Sequence, residues 1–542
     1  MFFSKIIGFV KKYYLIILGL AWFAFLYVPS FGLKYSLLDD GFNFRNARII
    51  TQSFADFDFK KIFGVVLEPD QGRVRPAYWF MESFLYGGGF ASPEMAHFAR
   101  IMLLLITLGL LYFLLKKFNI DVLWIVFSLF IFATSIQTFE NYYRVGPAES
   151  WLILVYSVTL ILIFRKRIGK FDIPVIVFLA LVGAFTKETY FISGIPFFLV
   201  GLFMLLLRKK EIKWVAIKCL FFALALGLFQ IMILLIKSNY VTQVQVQYAS
   251  NYDLMNIGRL LRNFRAYQKS TFFFHFPLFH ISMGYLVYFL WKAIKGFKKL
   301  ESEDFFFLIL WLSVFAQQAI LAPWAHVLGR YMLLVNVNLV LIYAITFMKI
   351  FNLFYPRIIK FIPGFAHFRL QLGVFSALAL LPIFFVRNIF PIANFQLQMD
   401  VESKLSFEGV SALNRHIPKG ETVFVNFKEN DNNIEVFLEN GWHLEEFYKR
   451  YDVRFDYLKD NNLCTLEPRF IFDRTSDRFL DKIVFDDNDK FELIEKGEAT
   501  YEPINYGVVV KSFFYRQKLE GWSTKYGFDW AIYKQKGGTC VK

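Results

Sequence analysis

Long apolar runs separated by short polar segments fill most of this chain up to residue 387. About eleven of them have the roughly 17–24 residues that a helix needs to cross a bilayer. They lie at residues 13–31, 98–115, 120–136, 149–164, 171–186, 190–207, 214–237, 272–294, 305–322, 331–349 and 370–387. The pattern predicts an α-helical polytopic membrane protein with about 11 transmembrane helices.

Basic residues cluster in every second connection between these runs. The clusters are Lys11–Lys12, Lys116–Lys117, Arg165–Arg167, Arg208–Lys210, Lys295–Lys299 and Arg357–Lys360. Lys and Arg are retained on the cytoplasmic side of membranes, so the N-terminus is expected inside and the C-terminal part outside. Much of the formal net charge of +16 therefore marks orientation, and no nucleic-acid partner is expected.

Composition agrees with a chain built around a lipid bilayer. Of its 542 residues, 56% are hydrophobic and 19% are charged, whereas soluble domains average roughly 45–50% and 25%. A soluble enzyme and a disordered chain are both excluded.

The chain is expected to form two domains. Residues 1–387 form the transmembrane domain, which carries a large outer loop at residues 32–97. Residues 388–542 have ordinary composition, with strand-like runs at Thr422–Val425 and Gly507–Val510 and a helical stretch near 434–449. This alternation predicts a soluble α/β domain on the outer side of the membrane.

The outer loop opens with two adjacent carboxylates, Asp39 and Asp40, a few residues after the first span. Ionisable groups this close to hydrocarbon are costly to desolvate, so they are either solvated or functional. A helical pattern follows, with Phe44, Ala47, Ile50 and Phe54 on one apolar face, which predicts an interfacial helix. The plainer alternative is that the aspartates form a solvated helix cap.

Arginines follow in the same loop. Arg73 and Arg75 have planar donors that pair with two phosphate oxygens at once. Next to a membrane, they favour a phosphate-bearing lipid as substrate. Contact with ordinary lipid headgroups is the alternative.

Further charges stand where predicted spans reach the outer face. They are Arg144, the adjacent Lys187 and Glu188, and Arg330. A site between helix ends needs charges there, although each of them alone fits a solvated or weakly paired side chain. In the loop at 238–271, Arg259, Arg262 and Arg265 recur every third residue, which predicts a helix lying along the headgroups.

Taken in order, these motifs resemble the GT-C superfamily of integral-membrane glycosyltransferases. The resemblance is strongest to the branch with the protein O-mannosyltransferases and the lipid A aminoarabinose transferase, and it covers about residues 1–350. The motifs that carry it are Asp39-Asp40, Ala47-Arg48, Arg75-Pro76-Ala77-Tyr78-Trp79, Lys187-Glu188 and Arg330-Tyr331.

The resemblance implies a polyprenyl-phosphate-linked sugar as donor and a hydroxyl on a glycan, lipid or protein as acceptor. Asp39 is then expected to act as general base in an inverting transfer, with Asp40 orienting it or the acceptor. Arg75, Lys187 and Arg330 are expected to stabilise the departing phosphate. No cofactor is implied, and a divalent cation at Glu68-Pro69-Asp70 is the lesser alternative.

Two other functions remain open from the sequence. An O-antigen polymerase or ligase is also polytopic with Arg-rich outer loops, but it uses a lipid-diphosphate donor. A transporter or flippase ranks lower, because its charges usually lie near the midplane of the spans. The sequence has no Asn-x-Ser/Thr sequon, which favours a bacterial inner membrane as the location.

Overall fold

The structure is a computed structural model. It describes residues 19, 21–34, 40–67, 74–87, 92–165, 169–207, 210–240, 256–296, 300–323, 329–361, 369–426, 444–445, 448–458, 469–476, 491–501 and 526–536. They divide into two compact units: the first unit is Met1–Val28, Ser53–Met81 and His97–Ile389, and the second is Pro29–Gln52, Glu82–Ala96 and Phe390–Lys542.

Helices make up nearly all of the first unit where the structure describes it. In chain order, the helices of both units are α1 (Ala21–Gly32), α2 (Asp40–Ala55), α3 (Phe59–Val66), α4 (Pro76–Glu82), α5 (Pro93–Lys117), α6 (Val122–Ala133), α7 (Ile136–Tyr143), α8 (Ala148–Ile163), α9 (Asp172–Thr186), α10 (Gly194–Leu206), α11 (Lys210–Tyr240), α12 (Ile257–Phe274), α13 (Leu278–Gly296), α14 (Ser302–Leu321), α15 (Leu333–Phe361) and α16 (Arg369–His416). Short 3₁₀ turns, Glu188–Ser193 and Gly329–Met332, precede α10 and α15.

Among the described residues, six helices are long and apolar enough to cross a membrane, or up to eight if each of two bent pairs forms one span. The six are Pro93–Lys117, Glu188–Leu206, Ile212–Ser238, Ser302–Leu321, Gly329–Lys360 and Gln371–His416. The protein is therefore an integral membrane protein, as predicted. Helix α15 lies in its interior, because every residue from 332 to 348 is buried.

The predicted number of about 11 spans is confirmed only in part. Three predicted spans correspond to shorter apolar helices, α1, α8 and α9. Helices of 16 and 15 residues, such as α8 and α9, rise roughly 23 Å, which is less than the hydrocarbon thickness of about 30 Å. The count of 11 stays a prediction.

Two predicted spans are bent rather than straight. Helices α6 and α7 meet at 61°, and α12 and α13 meet at 107°. The predicted span 272–294 thus begins only at Leu278, and the three arginines predicted on a helix lie on α12. A run of apolar residues shows where a helix passes through hydrocarbon, but it does not show where the helix breaks.

The buried side chain of Asn388 on α16 forms hydrogen bonds with backbone groups at both helix breaks, between α6 and α7 and between α12 and α13. Its Oδ1 accepts a hydrogen bond from the N–H of Ile136, the first residue of α7, at 3.1 Å. Its Nδ2 donates to the carbonyl of Phe274, the last residue of α12, at 2.9 Å. Helix ends leave such backbone groups without an intrahelical partner, so a polar side chain is needed here.

Replacing Asn388 with Leu is expected to lower the free energy of unfolding by about 2–3 kcal/mol, since the variant leaves a buried N–H and a buried C=O without this partner. The check is an unfolding titration with SDS in mixed micelles. Gln371→Leu on the same helix is the control, because Gln371 is exposed. Equal effects of the two variants would contradict this role for Asn388.

The last helix continues beyond the predicted end at 387. Helix α16 is 48 residues long and ends only at His416. The apolar run ends at residue 387, which predicted the end of the helix, but polar residues continue the same helical hydrogen bonding after it. The helix continues past the predicted boundary between residues 387 and 388, and that domain boundary stays a prediction.

A five-stranded mixed sheet forms the core of the second unit. Its strands are β1 (Thr422–Asn426), β2 (Arg454–Leu458), β3 (Phe470–Ser476), β4 (Phe491–Tyr501) and β5 (Tyr526–Gln535), in the order β2-β1-β3-β5-β4. Strand β1 runs parallel to β2 and β3, whereas β5 runs antiparallel to β3 and β4. The end of α16 packs on this sheet through Val410, Leu413 and Ile417.

The sheet confirms the predicted strand at Thr422–Val425. The predicted strand at Gly507–Val510 and most of the helical stretch at 434–449 lie outside the described residues.

The helix predicted in the first outer loop is present as α2, but its apolar face is not open to lipid. Phe44, Ala47 and Ile50 are buried, and only Phe54 is exposed. The ring of Phe44 packs against Tyr86, with ring centroids 4.7 Å apart. Protein side chains therefore cover much of the face that was expected at the membrane interface.

Candidate functional site

Arg75 and Glu188 form an ion pair that joins the outer loop to the turn before α10. The Nε of Arg75 lies 3.1 Å from Oε2 of Glu188, and the backbone N–H of Val74 donates to Oε1 at 3.4 Å. The N–H of Arg75 also donates to the carbonyl of Val66 at 3.2 Å. Arg75 is therefore held in place just before α4 begins.

A second cation shares the carboxylate of Glu188. The Nζ of Lys237, near the end of α11, lies 3.5 Å from Oε1. The side chains of Arg75 and Glu188 are about one-sixth exposed, and that of Lys237 is 29% exposed. Two cations thus lie beside one carboxylate in the first unit.

Lys187 contacts other residues than its neighbour Glu188 does. It forms a buried ion pair with Glu149, which lies in the first turn of α8. Its ammonium group also lies over the ring of Tyr331, 4.2 Å from the centroid. The extended backbone of Lys187, with φ −153° and ψ 124°, separates α9 from the following turn. This conformation sends the two adjacent side chains in different directions.

Arg330 lies on the turn that carries Tyr331, with its guanidinium carbon 5.4 Å from the Tyr331 ring centroid. Its carbonyl accepts a hydrogen bond from the side chain of Asn141 on α7, at 2.8 Å. Glu140, the residue before Asn141, interacts electrostatically with both Arg330 and Arg144. A Cβ at Gly329 would lie 3.0 Å from the Glu140 carboxylate, so a glycine allows the two segments to come this close.

Buried hydrogen bonds hold the connection from α7 to α8, which carries Arg144 at one end and Glu149 at the other. Arg100 on α5 is fully buried and donates to the carbonyl of Pro147 at 3.2 Å. The hydroxyl of Tyr78 on α4 donates to the carbonyl of Gly146 at 2.7 Å. These contacts fix the segment against two other helices and so restrict where its charged side chains can point.

These contacts place the five predicted site residues in two groups that adjoin at the neighbouring residues Lys187 and Glu188 and are together called the charged cluster. One group is Arg75, Glu188 and Lys237, and the other is Arg144, Lys187, Arg330, Glu140, Glu149 and Tyr331. It holds five cations and three carboxylates. A phosphate group suits several Arg and Lys side chains in a partly buried setting, because its oxygens accept charge-assisted hydrogen bonds from them.

The remaining predicted site residues cannot be placed. Asp39 and Arg73 lie outside the described residues, and for Asp40 only its place at the start of α2 is described. The position of the expected general base relative to the charged cluster therefore stays a prediction.

Sequence reasoning missed Glu140, Glu149 and Lys237. A signal for the two glutamates was present, because a carboxylate within or at the end of an apolar helix requires a partner. Lys237 ends a long apolar helix, where lysine is usual, so its part in the cluster becomes visible only from the fold.

Among the described residues, no group of three or more His, Cys, Asp or Glu side chains could hold a metal ion. The expected alternative site at Glu68-Pro69-Asp70 lies outside the described residues. A cation there stays a prediction.

Two crystal structures of ArnT from Cupriavidus metallidurans resemble this chain. The one bound to undecaprenyl phosphate has a TM-score of 0.46 at 11% identity, over 86% of this chain and 93% of that chain. The apo structure has a TM-score of 0.44 at 12% identity, over 86% and 94%.

No protein-family model matches the sequence, and no curated protein matches it. At identities this low, the likeness to ArnT says nothing about individual residues, whose roles depend on the contacts described above.

Proposed function

We propose that this protein is a glycosyltransferase that moves a sugar from a polyprenyl phosphate to a hydroxyl acceptor, with inversion. The observation that carries the proposal is the charged cluster, which brings Arg and Lys side chains from separate parts of the chain to the ends of apolar helices. A lipid phosphate fits such a place, because its chain needs an apolar surface and its headgroup needs cations.

In the proposed reaction, Asp39 takes the proton of the acceptor hydroxyl while that oxygen attacks the anomeric carbon. The bond from the anomeric carbon to the phosphate oxygen breaks on the opposite side, so the configuration inverts. Charge grows on the departing phosphate, and fixed cations lower the energy of that transition state. Arg75, Lys187 and Arg330 are the proposed donors, and Arg73, Arg144 and Glu188 the proposed substrate-binding residues beside them.

The proposal requires no cofactor. It also places the transfer on the outer face of a bacterial inner membrane, with the N-terminus in the cytoplasm and the second unit outside. The basic connections Arg165–Arg167 and Arg208–Lys210 support this orientation by the distribution of positive charge. The acceptor is a glycan, lipid or protein hydroxyl.

The test is binding of undecaprenyl phosphate to the purified protein in nanodiscs, compared with undecaprenol, which has the same chain and no phosphate. We expect the phosphate to bind at least about tenfold more tightly, since hydrogen bonds to charged groups contribute about 1.5–3 kcal/mol. Arg75→Gln should remove most of that difference, and Arg75→Lys should remove part of it.

Arg357→Gln is the matched control, because Arg357 is exposed at the end of α15. Equal affinity for the phosphate and the alcohol would contradict the proposal. Tighter binding of undecaprenyl diphosphate than of the monophosphate would favour the polymerase or ligase instead. Mass analysis of surface glycans from cells with and without the protein would then distinguish single sugars from repeat units.

A further inference from the structure

Helix α12 carries a row of exposed cations. Arg262, Arg265 and Lys269 are all exposed, and none of them forms an ion pair with another residue in the described part of the chain. Arg259, one turn earlier, is half-buried. The helix sequence contains no Asp or Glu, so nothing within it offsets this charge.

The opposite side of α12 is fixed to the protein. Asn263, Tyr267 and Thr271 recur every fourth residue and are buried. Asn263 donates to the carbonyl of Ala322 at 3.0 Å, and Gln318 donates to the hydroxyl of Thr271 at 2.9 Å. Because side chains four apart share one face of a helix, these contacts hold α12 against the end of α14 and turn its cations outward.

Exposed apolar side chains flank the cations. Leu261 is 52% exposed and Phe272 is 39% exposed, and at about 100° per residue both lie close to Arg265 on the helix surface. An apolar strip beside a basic strip is the arrangement of a helix at the boundary between acyl chains and headgroups.

The bend before α13 determines how α12 meets the membrane. Helix α13 has 19 residues, which rise about 28 Å and match the hydrocarbon thickness. At 107° to it, α12 lies close to the membrane plane if α13 crosses the bilayer. Arg387 fixes this corner, since it donates to the carbonyl of Phe273 at 3.0 Å and its guanidinium lies 4.6 Å from the ring centroid of Phe276.

We propose that Arg262, Arg265 and Lys269 form a binding surface for the anionic headgroups of bilayer glycerophospholipids. The surface is separate from the charged cluster and does not depend on the proposed function. Its chemistry is that of a phosphodiester held by cations, with the lipid chains against Leu261 and Phe272. Each cation close to an anionic membrane surface raises the binding affinity roughly fivefold.

The test is competitive binding of phosphatidylglycerol and phosphatidylcholine with identical chains to the full-length protein in detergent, read by native mass spectrometry. We expect the parent protein to prefer phosphatidylglycerol. The triple variant Arg262→Gln/Arg265→Gln/Lys269→Gln should lose roughly tenfold to a hundredfold of that preference. The preference of the parent should also fall in about 0.5 M salt, because the Debye length is then roughly 4 Å and exposed charges are screened.

A control variant removes the same charge elsewhere: Lys419→Gln/Lys496→Gln/Lys534→Gln, three exposed lysines of the second unit. It should keep the parental preference. An unchanged preference in the α12 variant, or an equal loss in the control, would overturn the proposal. Displacement of phosphatidylglycerol by inorganic phosphate would overturn it as well, since it would show a free-phosphate site. Retained affinity of the α12 variant for undecaprenyl phosphate would separate this surface from the charged cluster.

Discussion

Replacing Lys187 with Met is expected to lower the free energy of unfolding by about 3–5 kcal/mol. The variant leaves the buried carboxylate of Glu149 without its cation, and an uncompensated charge in a poorly solvated place is costly. Loss of the contact with the Tyr331 ring adds to this effect. The measurement is an SDS unfolding titration of the purified protein.

The double variant Lys187→Met/Glu149→Leu separates stability from function. Replacing both partners by apolar side chains is often neutral for stability, so the double variant should recover most of the lost free energy. It should remain impaired in binding undecaprenyl phosphate, since no cation returns. Recovery of both properties would show that Lys187 acts only as the partner of Glu149.

Asp39→Asn is expected to reduce sugar transfer by about 10²–10⁴-fold, the usual contribution of a general base. An amide keeps the shape of the carboxylate but cannot accept the proton of the acceptor hydroxyl. The measurement is the mass of surface glycans in cells that carry only the variant, with protein abundance determined in parallel. Glycan transfer near the parental rate at normal abundance would rule out Asp39 as the base.

Two further variants complete that experiment. Asp56→Asn is the control, because Asp56 is an exposed carboxylate in the same outer loop and should leave transfer unchanged. Asp40→Asn distinguishes the two neighbouring aspartates. If Asp40→Asn reduces transfer more than Asp39→Asn, the base is Asp40 and Asp39 has the orienting role.

The helical membrane architecture could be predicted because hydrophobic run length is a local property of the sequence. The apolar runs at 98–115 and 305–322 appear as α5 and α14 with ends shifted by a few residues. Breaks could not be predicted in the same way. The bend between α12 and α13 depends on Asn388 and Arg387, more than a hundred residues away.

For the candidate site, too, the residue types could be predicted from the local sequence, whereas the contacts between distant residues could not. The types and positions of Arg75, Lys187 and Arg330 predicted charges at the outer ends of spans. In the fold, Lys187 and Arg330 share the ring of Tyr331, and Arg75 pairs with Glu188, the residue after Lys187. Their partners could not be assigned, since adjacent Lys187 and Glu188 looked like a local pair. Lys187 instead pairs with Glu149 on α8, and Glu188 pairs with Arg75 in the outer loop.

Asn388 makes the orientations of α7 and α12 interdependent. Its amide oxygen binds the first N–H of α7, and its amide nitrogen binds the last carbonyl of α12. Rotating either helix alone would leave a backbone N–H or C=O without this hydrogen bond in apolar surroundings. A movement of α12, which bears the exposed cations, is therefore coupled to α7, which bears Glu140, without a continuous path of charged residues between them.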